Sequence, residues 1–91
     1  MVAHLGVDGG PVVEDVRIVG LQAQIVSLQR QRTLIEPERA AVKDLWDKQL
    51  VTINRMNQLE RTAADLEGNT AALQAQIAQA RARIRLMTGE R

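Results

Sequence analysis

The sequence predicts an all-α fold: an antiparallel two-helix coiled-coil hairpin with a short non-helical N-terminal segment. Three observations carry this. Apolar residues recur every three or four positions along two long stretches, a period that packs helix on helix. The two stretches are nearly equal in length and meet at a short connection, which makes them antiparallel. Ala, Gln, Arg, Leu and Glu dominate from residue 21 onward, the usage of long helices and coiled coils. Trp46 is the only aromatic residue among 91, so the packing must come from Leu, Ile, Val, Ala and Met.

Residues 1–13 hold short apolar pairs broken by Gly6, Gly9, Gly10 and Pro11, and read as extended chain or loop. His4 reads as a lone tail residue, because a metal site needs about three or four convergent ligands. A first helix is expected over about residues 14–48. Glu14 and Asp15 then fall in its first turn, where negative charge suits the helix dipole. Its seam runs through Ile18, Leu21, Ile25, Leu28, Ile35, Val42 and Trp46, with Arg32 and Arg39 at intervening seam positions. Arginine stems at such positions lie along the apolar surface while their heads reach water. A polar seam residue also costs stability and fixes register. Pro37 removes a backbone hydrogen bond and crowds the preceding turn. The arm therefore either kinks near Thr33–Glu36 or restarts with Pro37 in a first turn. Asp44 and Lys48 make a favourable pair four residues apart. Trp46 either packs across the turn on Leu50, Ile53 or Met56, or stands exposed as an anchor for a partner.

The turn is expected over about residues 49–53 and the second helix over about 54–88, with Thr52 or Asn54 as its cap. The second seam is cleaner: Met56, Leu59, Ala63, Leu66, Thr70, Leu73, Ile77, Ala80, Ile84 and Met87, none of them charged. Gly68 falls on the outer face. Gly89 suits a left-handed residue that ends the helix, and 89–91 form a tail. Residue numbers facing each other across the seam should add to about 98–105, which follows from placing the turn near residue 51.

These features exclude several classes. The net charge of +1 draws the chain to neither nucleic acid nor membrane. Without cysteine there is no disulfide or thiol chemistry. No apolar run approaches the roughly 18–20 residues of a membrane span. The start lacks the basic and apolar regions of a secretory signal, so a periplasmic location would require a targeting piece elsewhere. No nucleophile, base and oxyanion set is present, and the carboxylates alternate with Arg and Lys, so neither catalysis nor a cofactor or metal is expected. Arg81, Arg83 and Arg85 make the C-terminal end basic, yet residues two apart fan around a helix instead of forming one stripe.

The stretch Leu21–Ile84 resembles the periplasmic adaptors, or membrane fusion proteins, of type I secretion systems, the HlyD-like family. The resemblance rests on Lys48-Gln49-Leu50-Val51-Thr52, on Leu59-Glu60-Arg61, Leu66-Glu67-Gly68 and Leu73, and on Ala75-Gln76-Ile77-Ala78-Gln79-Ala80. Leu21-Gln22-Ala23-Gln24-Ile25 is similar to segments of that family's first hairpin helix. Family tips read Lys-Gly-Leu-Val-Ser, so Gln49 replaces a Gly and Thr52 stands for a Ser. A related Arg-Leu…Leu…Ser signature places Ala41 and Val42 at Arg-Leu and Leu45 at the next Leu, so its arginine is absent. Arg39 and Lys43 are out of register with that arginine, and Arg85 stands where the family tends to have Glu.

The resemblance implies a non-enzymatic hairpin in the periplasm whose tip docks on a TolC-like outer-membrane channel, with neighbouring adaptor protomers forming a homo-oligomeric ring. The tip residues it implicates are Leu45, Lys48, Gln49, Leu50, Val51, Thr52 and Arg55. The competing reading is a self-assembling coiled-coil structural or scaffold protein, such as a small phage component, located in cytoplasm or virion. A third reading, a basic helical nucleic-acid binder, requires a steep salt dependence of DNA binding.

Overall fold

The computed structural model describes the backbone of residues 2–89 and the side chains of residues 9–89. His4 and the tail residues Glu90 and Arg91 lie outside the described side chains. Two α-helices make up the fold, α1 (Val2–Asp47) and α2 (Ile53–Thr88), with no strand among the described residues. The fold is a helical hairpin. By internal packing it divides into a terminal unit, Met1–Ile25 with Ala72–Arg91, and a turn unit, Val26–Ala71.

In the terminal unit, Ile18, Leu21, Ile77 and Ala80 form the buried cluster, with Ile25, Leu73 and Ile84 packed against it. All are seam positions three or four residues apart, so one face of each helix is desolvated. Each isoleucine or leucine among them contributes about 1.5–3 kcal/mol when fully buried. The sequence did not mark Glu14 as part of this face. It lies four residues before Ile18 in the same frame and is buried, accepting hydrogen bonds from Arg83 Nε at 3.0 Å and Nη2 at 3.2 Å. This two-point geometry satisfies the carboxylate that burial would otherwise penalise. Glu14 is therefore a seam residue, not a first-turn dipole partner.

The N-terminal expectation is corrected by the structure. Residues 1–13 read as loop, but α1 begins at Val2 and carries Gly9, Gly10 and Pro11 within it. From Gly10 onward, contact with α2 favours the helix. The seam continues backward through Glu14 to half-buried Pro11. At Gly10 the opposing helix comes close: a Cβ there would stand 3.1 Å from Met87 Sδ. Helix propensities of about 1 kcal/mol for Gly and 3 for Pro are outweighed where tertiary contacts accumulate.

In the turn unit, Val42, Leu59, Ala63 and Leu66 are the buried apolar residues. Helix α1 continues through Pro37 without restarting. Glu36 accepts hydrogen bonds from Arg32 Nε at 3.1 Å and Arg39 Nη1 at 2.9 Å, tying the turn before Pro37 to the turn after it. The seam arginines also reach across to α2, Arg32 to Glu67 and Arg39 to Glu60. Each of these pairs adds to 99 in residue number, the lower edge of the expected register. The terminal unit's Glu14 and Arg83 add to 97. Helix α2 ends as the sequence indicates, with Gly89 at φ +75°.

Candidate functional site at the helix turn

The connection between the helices is built by a compact set of backbone bonds. Gln49 N donates to Trp46 O at 2.8 Å, and Leu50 N donates to Leu45 O at 2.7 Å. This paired pattern is the Schellman motif, which satisfies the last carbonyls of a helix and needs a left-handed residue at its pivot. Gln49 is that residue, with φ 62°. The resembled tip sequence has Gly at this position, and the geometry supplies the reason. A side chain costs about 1–2 kcal/mol in the left-handed region. Gln49→Gly should therefore raise stability by about 1 kcal/mol after the entropy cost of glycine. Urea unfolding followed by circular dichroism checks this; an unchanged midpoint would contradict the assignment of strain.

Thr52 opens α2. Its Oγ1 accepts a hydrogen bond from Arg55 N at 3.2 Å, the geometry of an N-cap, so Thr52 and not Asn54 holds that role. Of the other implicated residues, Lys48 is tied to Asp44 at 2.8 Å, the pair the sequence indicates. The Arg55 guanidinium bonds Glu38 on α1. Leu45 lies in the last turn of α1 and is partly exposed, while Leu50 between the helices is 68% exposed. Val51 is half-buried. Val42, at the Leu position of the adaptor signature, is buried in the seam and presents nothing outward.

Trp46 and Ile53 join this group. Trp46 occupies the last seam position of α1 yet is 37% exposed, because the seam runs out at the turn. It borders an open depression with Asp47, Gln49 and Val51, and another with Arg39, Lys43, Met56 and Glu60. It shares the second depression with Met56 and keeps part of its surface in water. Leu45, Trp46, Leu50 and Ile53 together leave the turn rich in exposed apolar surface. The sequence left Trp46 open between packing across the turn and standing exposed, and named Ile53 only as a packing partner for it.

Behind the turn lies a charge network. Arg39 forms a two-point pair with Glu60, Nη2 to Oε2 at 2.8 Å and Nε to Oε1 at 3.3 Å. Arg39 holds the Glu60 carboxyl below the ordinary glutamate value of 4.5, and Arg32 followed by Arg39 does the same for Glu36. In the terminal unit Arg83 holds Glu14 low, against the opposing effect of burial. These groups bind fewer protons folded than unfolded. Their stabilisation is complete above 4.5, the unfolded value, and is lost as pH falls through the depressed folded values. The melting temperature should be flat above about pH 5.5 and drop below the ordinary carboxylate range. Replacing Glu14, Glu36 and Glu60 together by Gln should flatten that acid limb in a thermal series. An unchanged limb would place the acid sensitivity in other groups.

Among the described residues, no group of three His, Cys, Asp or Glu side chains is placed to hold a metal ion. No described helix is long and apolar enough to cross a membrane. The model of a family described as "AprE, long alpha-helical hairpin" matches residues 15–89. No curated protein and no solved structure matches the chain.

Proposed function

The chain belongs to the AprE long alpha-helical hairpin family of type I secretion membrane fusion proteins, and on that premise we propose that its turn docks onto an outer-membrane channel of the TolC type. Docking is helix against helix and involves no catalysis. The hairpin works in the periplasm, as part of an adaptor anchored at the inner membrane. Copies of it stand side by side around the channel. The supporting observation is the apolar surface left open at the turn by Leu45, Trp46, Leu50 and Ile53. An exposed cluster of this kind, with an aromatic residue in it and ion pairs beside it, has the composition of an interface core. Lys48 and Arg55 contribute through their pairs with Asp44 and Glu38, which set the rim.

Photocrosslinkers at Leu50 and Thr52, introduced in the secreting cell, should capture the channel protein. Leu50→Asp combined with Ile53→Asp should lower secretion by about tenfold or more, because it places charge in an interface core. Both positions are exposed, so helicity should persist in the variant. Unaltered secretion, or crosslinks only between copies of the chain, would defeat the docking reading.

A further inference from the structure

The terminal unit carries a second apolar stripe on each helix, separate from the buried seam. On α1, Val12, Val16, Val19 and Ala23 recur at intervals of four, three and four residues. The three valines are 57%, 67% and 65% exposed. On α2, exposed Ala75 and Ala78 and half-buried Ala82 recur at intervals of three and four, followed by Leu86, which is 79% exposed. Such spacing places each set on one helix face. A continuous exposed apolar face marks an interaction surface more often than a solvated one.

We propose that a second copy of the chain binds here, seating the valine stripe of its α1 on the alanine stripe of α2. The proposal rests on the side-by-side association read above and supplies its surface. Three features favour a second copy in this arrangement. Size is complementary, since branched side chains fill the low ground that alanines leave. Level is matched as well. Across the unit's own seam, Gly10 meets Met87 and Glu14 meets Arg83, residue pairs that add to 97. Val19 with Ala78 also adds to 97, and Val16 with Ala82 and Ala23 with Ala75 add to 98. Two copies in the same orientation, with no axial shift, therefore bring the stripes into register. Charge is complementary too. Asp15 flanks the valine stripe, and Arg81 and Arg85 flank the alanine stripe at the corresponding level. All three are exposed and make no ion pair among the described residues. A valine stripe on a valine stripe would instead set Asp15 near Asp15, which repels.

The contact joins two different faces, so every bound copy keeps one of each face free for the next. It builds a row that either stays open or closes on itself, and it does not stop at a dimer. The chain has no cysteine, which makes exchange of disulfides a clean test. Chains carrying Val16→Cys and Ala82→Cys are purified separately, mixed and mildly oxidised. The mixed disulfide should exceed either homodisulfide by about tenfold, since only facing Cβ atoms about 4 Å apart can bridge. A chain carrying both substitutions should give a ladder of linked copies. Predominant homodisulfides, or mixed yields no higher than with a level-shifted Val16→Cys and Ala75→Cys pair, would overturn the surface. Sedimentation adds a second measurement. Val16→Glu with Val19→Glu should raise the concentration needed for association by about a hundredfold. Association unchanged in that variant overturns the surface while leaving side-by-side assembly intact. A wild-type chain monomeric at every concentration overturns both.

Discussion

Leu66→Ala should lower the stability of the hairpin by about 2–3 kcal/mol, toward the lower half of the range for leucine truncation in a core. The reason is scarcity. The turn unit, Val26–Ala71, has four buried apolar residues: Val42, Leu59, Ala63 and Leu66. Arg32 and Arg39 occupy two of its seam positions and spend their polar heads on Glu36, Glu60 and Glu67. Ion pairs at this exposure add little net stability, so apolar burial must carry the helix pair. Leu66 is 8% exposed, and its flanking seam residues are Ala63, already small, and Thr70. Neither can expand into the space its loss creates. A control is available on the same unit: Leu34, 72% exposed, should change stability by no more than about 0.5 kcal/mol when replaced by Ala. Urea unfolding monitored at the helical circular dichroism band would measure both. Equal effects for the two leucines would show that the seam does not carry the unit.

The seam was legible because heptad spacing and burial are two expressions of one geometry. Every apolar seam residue of α2 from Met56 to Ile84 is buried or half-buried, and Met87 is the exposed end of the row. The N-terminal part was illegible for an equally physical reason. Gly9, Gly10 and Pro11 have low intrinsic helicity, and the contact that opposes it at Gly10 comes from Met87 on α2. Contacts between residues far apart in the chain leave no local signature. Glu14 was hidden in the same way. A carboxylate at a seam position reads as a defect until Arg83, 69 residues away, is placed beside it. At the turn, the sequence located the connection but not its mechanism. No Gly or Pro marks it, because Gln49 takes the left-handed conformation that glycine would hold more cheaply. The exposure of Leu45, Trp46, Leu50 and Ile53 around the connection follows from where the Schellman turn ends the seam.

Ala80→Leu sets two physical effects against each other, and its sign decides which governs the terminal unit. By area alone the change should help. Three added carbons at roughly 0.8 kcal/mol each would favour the variant by about 2 kcal/mol. Sterics oppose it. Ala80 is 0% exposed and lies within the cluster of Ile18, Leu21 and Ile77, so no free surface receives the new side chain. Accommodating a leucine would separate α1 from α2 along this stretch, weakening both the isoleucine packing and the Glu14–Arg83 pair. Overpacking of this kind typically costs about 1–3 kcal/mol, and the enclosure of Ala80 makes that outcome the expected one. Ile18→Ala should cost stability alone through the void it opens. Combined with Ala80→Leu it should recover part of the loss, because the added volume then fills the space removed. A double-mutant cycle in urea reads this as a coupling of about 0.5–3 kcal/mol, the range for residues in contact. A single Ala80→Leu variant more stable than the parent would mean that the helix pair has room at its centre and that buried area, not close fit, sets its stability.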